Sequence, residues 1–103
     1  MSLSFNFIDD TNAVLSGELT RHYVAHLARQ KQNSLFKKNV ANIDLAQVTK
    51  VDTSGLAWLL LIVEKAQQKN LTLSFSNLPH DLVKLAKLSA VEALLPLSEN
   101  TAV

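Results

Sequence analysis

The stretch Val51-Asp52-Thr53-Ser54-Gly55-Leu56-Ala57-Trp58-Leu59-Leu60 decides how the rest of the chain is read. An apolar segment ends, four small or polar residues follow, and an apolar-periodic segment begins. That is the form of a strand-adjacent loop opening a helix. Thr53 or Ser54 is placed to cap the free N–H groups of the first turn. The helix is expected to run to about Lys69, with Asn70 suited to a left-handed C-terminal cap. At 100° per residue, Leu56, Leu59, Leu60, Val63 and Ala66 form its core stripe. Trp58 and Leu61 fall almost opposite, near Lys65, flanked by Ala57 and Ile62. Two readings of that second side stand open. It is an uncovered patch with an aromatic anchor, as at protein interfaces, or the segment carrying Leu94, Leu95 and Leu97 folds over it. The hydroxyl at the helix start also has two readings: a cap, or a group offered to a partner or a kinase at the positive end of the helix dipole.

The flanking sequence supplies strands. Leu3, Phe5 and Phe7 alternate with Ser4 and Asn6, a half-buried strand. Asp9 to Asn12 is a turn, Ala13 to Leu15 a second strand of an antiparallel hairpin, and Ser16-Gly17-Glu18 its break. A helix is expected from about Thr20, its N-cap, to Leu35, with Val24, Leu27, Ala28 and Leu35 on one side. A polar loop from Phe36 leads to a buried strand over Val40 to Leu45, in which Asp44 needs a partner or a less buried face. Gln47 to Asp52 leads into the central helix. Leu71, Leu73 and Phe75 alternate as another strand. Pro79 suits the start of a third helix with Leu82, Leu85, Ala86 and Ser89 on one face. A short turn over Val91 to Leu95 ends at Pro96. The order β-β-α-β-α-β-α gives an α/β fold: one small mixed β-sheet with helices mainly on one face, the last two strands parallel in a right-handed βαβ unit. The domain spans 1–97 and a tail 98–103.

Composition narrows the function. The 103 residues are one domain's worth, with 48% apolar and 18% charged residues, so the chain folds. Ten Lys and Arg against nine Asp and Glu leave a net charge of +1, and only Lys37-Lys38 forms a basic doublet. Nucleic-acid binding needs a concentrated positive face, so no nucleic-acid partner is expected. Absence of cysteine removes disulfides and thiol chemistry and agrees with a reducing compartment. The start has no secretory pattern. The longest uncharged apolar run, Leu56 to Val63, is far below the roughly 20 residues of a membrane span.

Enzyme motifs are missing. Gly17 and Gly55 stand far apart, so there is neither a Walker A loop nor a dinucleotide fingerprint. His22 and His26 have i, i+4 spacing but no third ligand, a poor zinc site. His80 beside Asp81 decorates a helix start, and no Gly-x-Ser-x-Gly elbow supports a triad. No cofactor, metal, catalytic residue or small-molecule substrate is expected.

Ile43-Asp44-Leu45, Val48 and the run from Val51 to Ala57 together resemble the signature of STAS domains, the fold of the anti-sigma factor antagonists. Ser16-Gly17-Glu18-Leu19, Leu85-Ala86-Lys87-Leu88 and Leu94-Leu95-Pro96 make the chain more narrowly similar to the cytosolic STAS subunits of bacterial phospholipid ABC transporters. The resemblance covers nearly the whole chain. It implies a non-catalytic accessory subunit that docks on the transporter's ATPase subunit and supports outer-membrane lipid asymmetry. Such a subunit is cytoplasmic and peripheral at the inner membrane through its partner. The implied docking residues are Asp52, Thr53, Ser54, Gly55, Ala57, Trp58, Leu61 and Ile62. The resemblance also implies an alternative, an antagonist of an anti-sigma factor phosphorylated on the hydroxyl after the Asp, here Thr53. Many of those regulators carry Ser at that position.

Overall fold

The computed structural model describes residues 3–25 and 41–96. Its strands are β1 (Leu3–Phe7), β2 (Asn12–Leu19), β3 (Asn42–Val51) and β4 (Ser74–Ser76). Its helices are α1 (described over 21–25), α2 (Thr53–Gln68) and α3 (His80–Leu88), followed by a 3-10 turn at Glu92–Leu94. The sheet order is β1-β2-β3-β4. β1 and β2 are antiparallel, with Phe5 opposite Leu15. β2 and β3 are parallel, as are β3 and β4. This is the expected mixed sheet with its parallel βαβ unit.

The hairpin is pinned by one carboxylate. Asp9 Oδ1 accepts the N–H groups of Thr11 and Asn12, each at 2.8 Å, an Asx-type turn. The next strand departs from expectation. Ser16-Gly17-Glu18 does not end β2, which continues to Leu19. Gly17 takes φ 106°, and the register with β3 shifts on either side of it. Glycine adopts this positive φ without a Cβ penalty, so the strand changes direction there without ending.

β3 is also longer than expected, reaching Val51 rather than Leu45. Val14 pairs with Asp44 but Ser16 with Gln47; Gly17 pairs with Val48 but Glu18 with Lys50. At each of these steps β3 carries one residue more than β2. The extra residues turn a spacing of two into a spacing of three, so Leu45 and Val48 both remain buried. Alternation alone hides such a strand. Asp44 finds its partners on the half-buried side, accepting from Ala46 N at 2.9 Å and from Asn77 Nδ2 at 3.0 Å.

Beyond β4 the chain returns to the sheet edge. The Phe75 N–H donates to the Pro96 carbonyl at 2.8 Å. α2 and α3 both end in paired N–H···O=C closures around a residue of positive φ: Asn70 at 58° and Ala90 at 57°. In the first, Leu71 N donates to Ala66 O at 2.8 Å and Asn70 N to Gln67 O at 3.1 Å. In the second, Val91 N donates to Ala86 O at 3.0 Å and Ala90 N to Lys87 O at 3.1 Å. Asn tolerates the left-handed region; Ala occupies it at a steric cost.

The core lies between the sheet and the helices. Leu15, Leu19, Ile43, Leu45, Leu59, Ile62, Phe75 and Leu82 are fully buried. The inward face of α2 differs from the expected core stripe. Trp58 is 4% exposed and Ile62 0%, both in the core, whereas Leu60 is only partly buried. The buried arc runs from Trp58 through Ile62, Ala66 and Leu59 to Leu56, roughly 160° wide at 100° per residue. It is rotated by roughly 60° from the stripe read off the sequence. Every residue from Leu56 to Val63 is apolar, so periodicity within that run does not fix the inward face. α2 packs on β2, β3 and α3, and a helix with neighbours on several sides buries more than one stripe. Of the segment proposed as a cover, Leu95 is buried, Leu94 is 60% exposed, and Leu97 lies outside the described residues. So do Leu27, Ala28 and Leu35 of the first helix, its expected end, the start of the third strand at Val40, and the tail 98–103.

These packings separate three substitutions. Trp58→Ala should lower folding stability by about 3–5 kcal/mol, as for a buried aromatic truncation. Leu61→Ala, on the 41% exposed face, should change it by about 0.5 kcal/mol or less. Ala90→Gly should raise stability by about 0.5–1 kcal/mol through relief of the left-handed backbone. Urea unfolding of the three variants beside the wild type measures all three effects.

Candidate docking site

β2 ends at Leu19 and β3 at Val51, and these two residues are register partners. α1 starts two residues after the first and α2 two residues after the second. Two helix N-termini, each with unpaired N–H groups and a partial positive charge, therefore open side by side. Asp52 serves both. Its Oδ1 accepts the Gly55 N–H at 2.9 Å, and its Oδ2 accepts the Arg21 N–H at 2.9 Å. Its own N–H donates to the Leu19 carbonyl at 3.2 Å, and its carbonyl accepts from Leu56 N at 3.0 Å. The N-cap of α2 is thus Asp52, not Thr53 or Ser54 as the sequence reading had it. The signal was present: an acidic residue three places before Gly55, the spacing of a side-chain cap. Burial pushes the Asp52 carboxyl up. The N–H groups of Arg21, Gly55 and Ser54, with Lys50 nearby, outweigh this and hold it below the usual carboxylate range.

Gly55 has a different task. A Cβ there would fall onto the Leu19 carbonyl oxygen and lie 2.8 Å from the Leu19 carbonyl carbon and Cγ. The first turn of α2 sits directly on the end of β2, and only glycine permits that approach. Asp52 and Gly55 are therefore the scaffold of the segment.

The other residues expected at the site divide. Thr53 and Ala57 are exposed, Leu61 is 41% exposed, and Ser54 is half-buried. Thr53, Ala57 and Leu61 stand at i, i+4 and i+8, a stripe along the outer side of α2. Trp58 and Ile62 are in the core and do not belong to the surface. Trp58 keeps one unusual feature: its buried Nε1 has no acceptor among the described residues. Two depressions flank the Asp52-Thr53 pair. One is lined by Glu18, Thr20, Arg21, His22, Tyr23, Lys50 and Asp52. The other is lined by Val51, Asp52, Thr53, Asp81, Lys84, Leu85 and Leu88. The second brings in α3 residues that the sequence reading did not assign, among them Leu88, 79% exposed. Its signal was a leucine lying off the Leu82–Leu85–Ala86 face of α3. Of the histidine pair, His22 is exposed on α1 and His26 lies outside the described residues; no cluster of three potential metal ligands occurs among the described residues.

The scaffold gives two expectations. Gly55→Ala should destabilise by at least the about 1–3 kcal/mol of an overpacked site, because the clash is with backbone. The Asp52 cap should fail in acid. With its folded pKa below the ordinary value of 3.8, its stabilisation is complete above that value and is lost as pH falls through the lower folded pKa. A pH series of thermal melts should show the wild type losing its advantage over Asp52→Asn below pH 3.8.

Comparison with known proteins agrees with this architecture. Residues 9–96 match the family described as "Mlab, STAS domain". The chain is 34% identical over 87 residues to the intermembrane phospholipid transport system binding protein MlaB of Escherichia coli (strain K12), covering 84% of this chain and 87% of that protein. The MlaB of Shigella flexneri matches with the same identity and coverage. Among solved structures, the anti-sigma factor antagonist SpoIIAA in its unphosphorylated form superposes with a TM-score of 0.70 at 16% identity, over 96% of this chain and 90% of that one. The Bacillus cell fate determinant SpoIIAA in its phosphorylated form gives 0.67 at 16% identity, over 96% and 93%. At that identity the SpoIIAA likeness is one of fold. The match across residues 9–96 and the 34% identity over 84% of the chain show the family: the chain belongs to the STAS domain family, in its MlaB group.

Proposed function

We propose that this chain is the accessory subunit of a phospholipid-transporting ABC complex, that it docks on the ATPase subunit, and that it performs no catalysis itself. The observation that carries the reading is the 34% identity, over 84% of the chain, with proteins named for intermembrane phospholipid transport. The docking surface is the stripe Thr53–Ala57–Leu61, held in place by Asp52 and Gly55. On this reading the chain works in the cytoplasm and reaches the inner membrane through its partner. No helix among the described residues is long and apolar enough to cross a membrane. A stripe of one hydroxyl, one methyl and one leucine supports recognition by shape and apolar contact, with Asp81 and Lys84 of the adjoining depression setting orientation.

A second reading is an anti-sigma factor antagonist switched by phosphorylation at Thr53. The exposed hydroxyl directly after Asp52 favours it, and the SpoIIAA likeness supports it in fold alone. Affinity capture with the tagged full chain, followed by identification of the retained protein, separates the two. An ATPase subunit of a lipid transporter supports the first reading, and a kinase-type anti-sigma factor overturns it.

Within the first reading, Leu61→Ala should bind the ATPase subunit at least roughly tenfold more weakly, the factor that about 1.4 kcal/mol represents, with its melting temperature unchanged. Thr53→Glu should keep its circular dichroism, since negative charge is compatible with a helix N-terminus, yet lose the partner because the charge must be desolvated on docking. Wild-type affinity in Thr53→Glu would remove the α2 N-terminus from the interface. The purified chain alone should show no ATP hydrolysis above a no-protein blank.

A further inference from the structure

We infer that Asp52 is a positioning residue of the docking surface and not one of its contacts: its carboxylate joins the first turns of α1 and α2 and fixes the direction in which Thr53, Ala57 and Leu61 are presented. The inference rests on the docking reading above. Asp52 sits in the middle of the surface signature, and the sequence alone places it among the partner contacts. Its geometry says otherwise. Both carboxylate oxygens are engaged with backbone N–H groups at 2.9 Å, from helices 31 and 3 residues away in sequence. Its main-chain N–H is also spent, on Leu19. Each oxygen is already held by an N–H of its own chain, so a partner gains less from this half-buried carboxylate than from a free one.

The same bonds make Asp52 a clasp. Arg21 N belongs to the start of α1 and Gly55 N to the first turn of α2, and among the described residues each has Asp52 as its side-chain acceptor. The two turns are rooted on the register pair Leu19 and Val51. Opening either bond frees one helix start to rotate against the other. Thr53 follows Asp52 directly and moves first. Ala57 and Leu61 follow through the helix.

The side chain's chemistry supplies the test. A carboxylate offers two acceptors, whereas the isosteric carboxamide of Asn offers one acceptor and a donor. Asp52→Asn therefore satisfies one helix and opposes the other; Asp52→Ala satisfies neither. Amide hydrogen exchange of the full chain by NMR should show faster exchange at one of Arg21 and Gly55 in Asp52→Asn, and at both in Asp52→Ala. Affinity for the lipid transporter's ATPase subunit, measured on the folded protein, should fall by about tenfold in Asp52→Ala and by less in Asp52→Asn. Ile43→Val lowers stability in the core away from the clasp and should leave the affinity unchanged. If Asp52→Ala does not fold, Asp52→Asn carries both arms. Unchanged exchange at both amides overturns the clasp, whatever the partner does. Altered exchange with unchanged affinity overturns the positioning role. An equal affinity loss in Ile43→Val makes the effect one of general stability and overturns it as well. A wild-type chain that does not bind the ATPase subunit overturns the docking reading and the positioning role with it, while the exchange arm still decides the clasp.

Discussion

One carboxylate between two helix starts is the constraint on which this fold depends. β2 and β3 are parallel neighbours that end level with each other, and each feeds a helix at the same edge of the sheet. That brings two partial positive charges and two sets of unpaired N–H groups together. A single anion placed between them satisfies hydrogen bonds on both sides. Asp52 is that anion, and Gly55 lets its helix approach closely enough for the bonds to form. The signature Asp-Thr-Ser-Gly is thus two kinds of residue in one run. Its ends build the joint, and Thr53 between them faces outward.

Much of this was legible in the sequence because the decisive signals are local. The hairpin, the start of α2, the Asn70 cap and the proline before α3 each follow from residue types that permit few conformations. The fold class followed from their order. What was not legible depends on distant partners. The two extra residues of β3 break the alternation that defines a strand, and only the neighbouring strand reveals the register. The inward face of α2 was hidden by an unbroken apolar run, so Trp58 and Ile62 were assigned to the surface although they lie in the core. The capping by Asp52 was half visible: its bond to Gly55 is local, whereas its bond to Arg21 spans the fold.

The candidate surface is correspondingly modest. With Trp58 inside, the outer side of α2 offers Thr53, Ala57 and Leu61, and α3 adds Leu88 across a shallow depression. Small contact surfaces gain from rigidity, because order already present in the free protein need not be imposed on binding. A joint that fixes two helices at once is suited to that situation. It also explains why the segment that carries the family signature is a turn: the fold is assembled there and its surface is presented there.

The carbonyl of Pro96 on the Phe75 N–H has a consequence for the solution behaviour of shortened chains. Among the described residues β4 is the last strand of the sheet, and a bare edge strand is a template for pairing with another molecule. The Pro96 carbonyl occupies one donor of that edge, and its own nitrogen carries no N–H to offer a neighbouring strand. A chain cut after Leu95 loses that bond beside the β-prone sequence Leu71 to Phe75. Such a chain would lose that cover and gain a tendency to pair edge to edge.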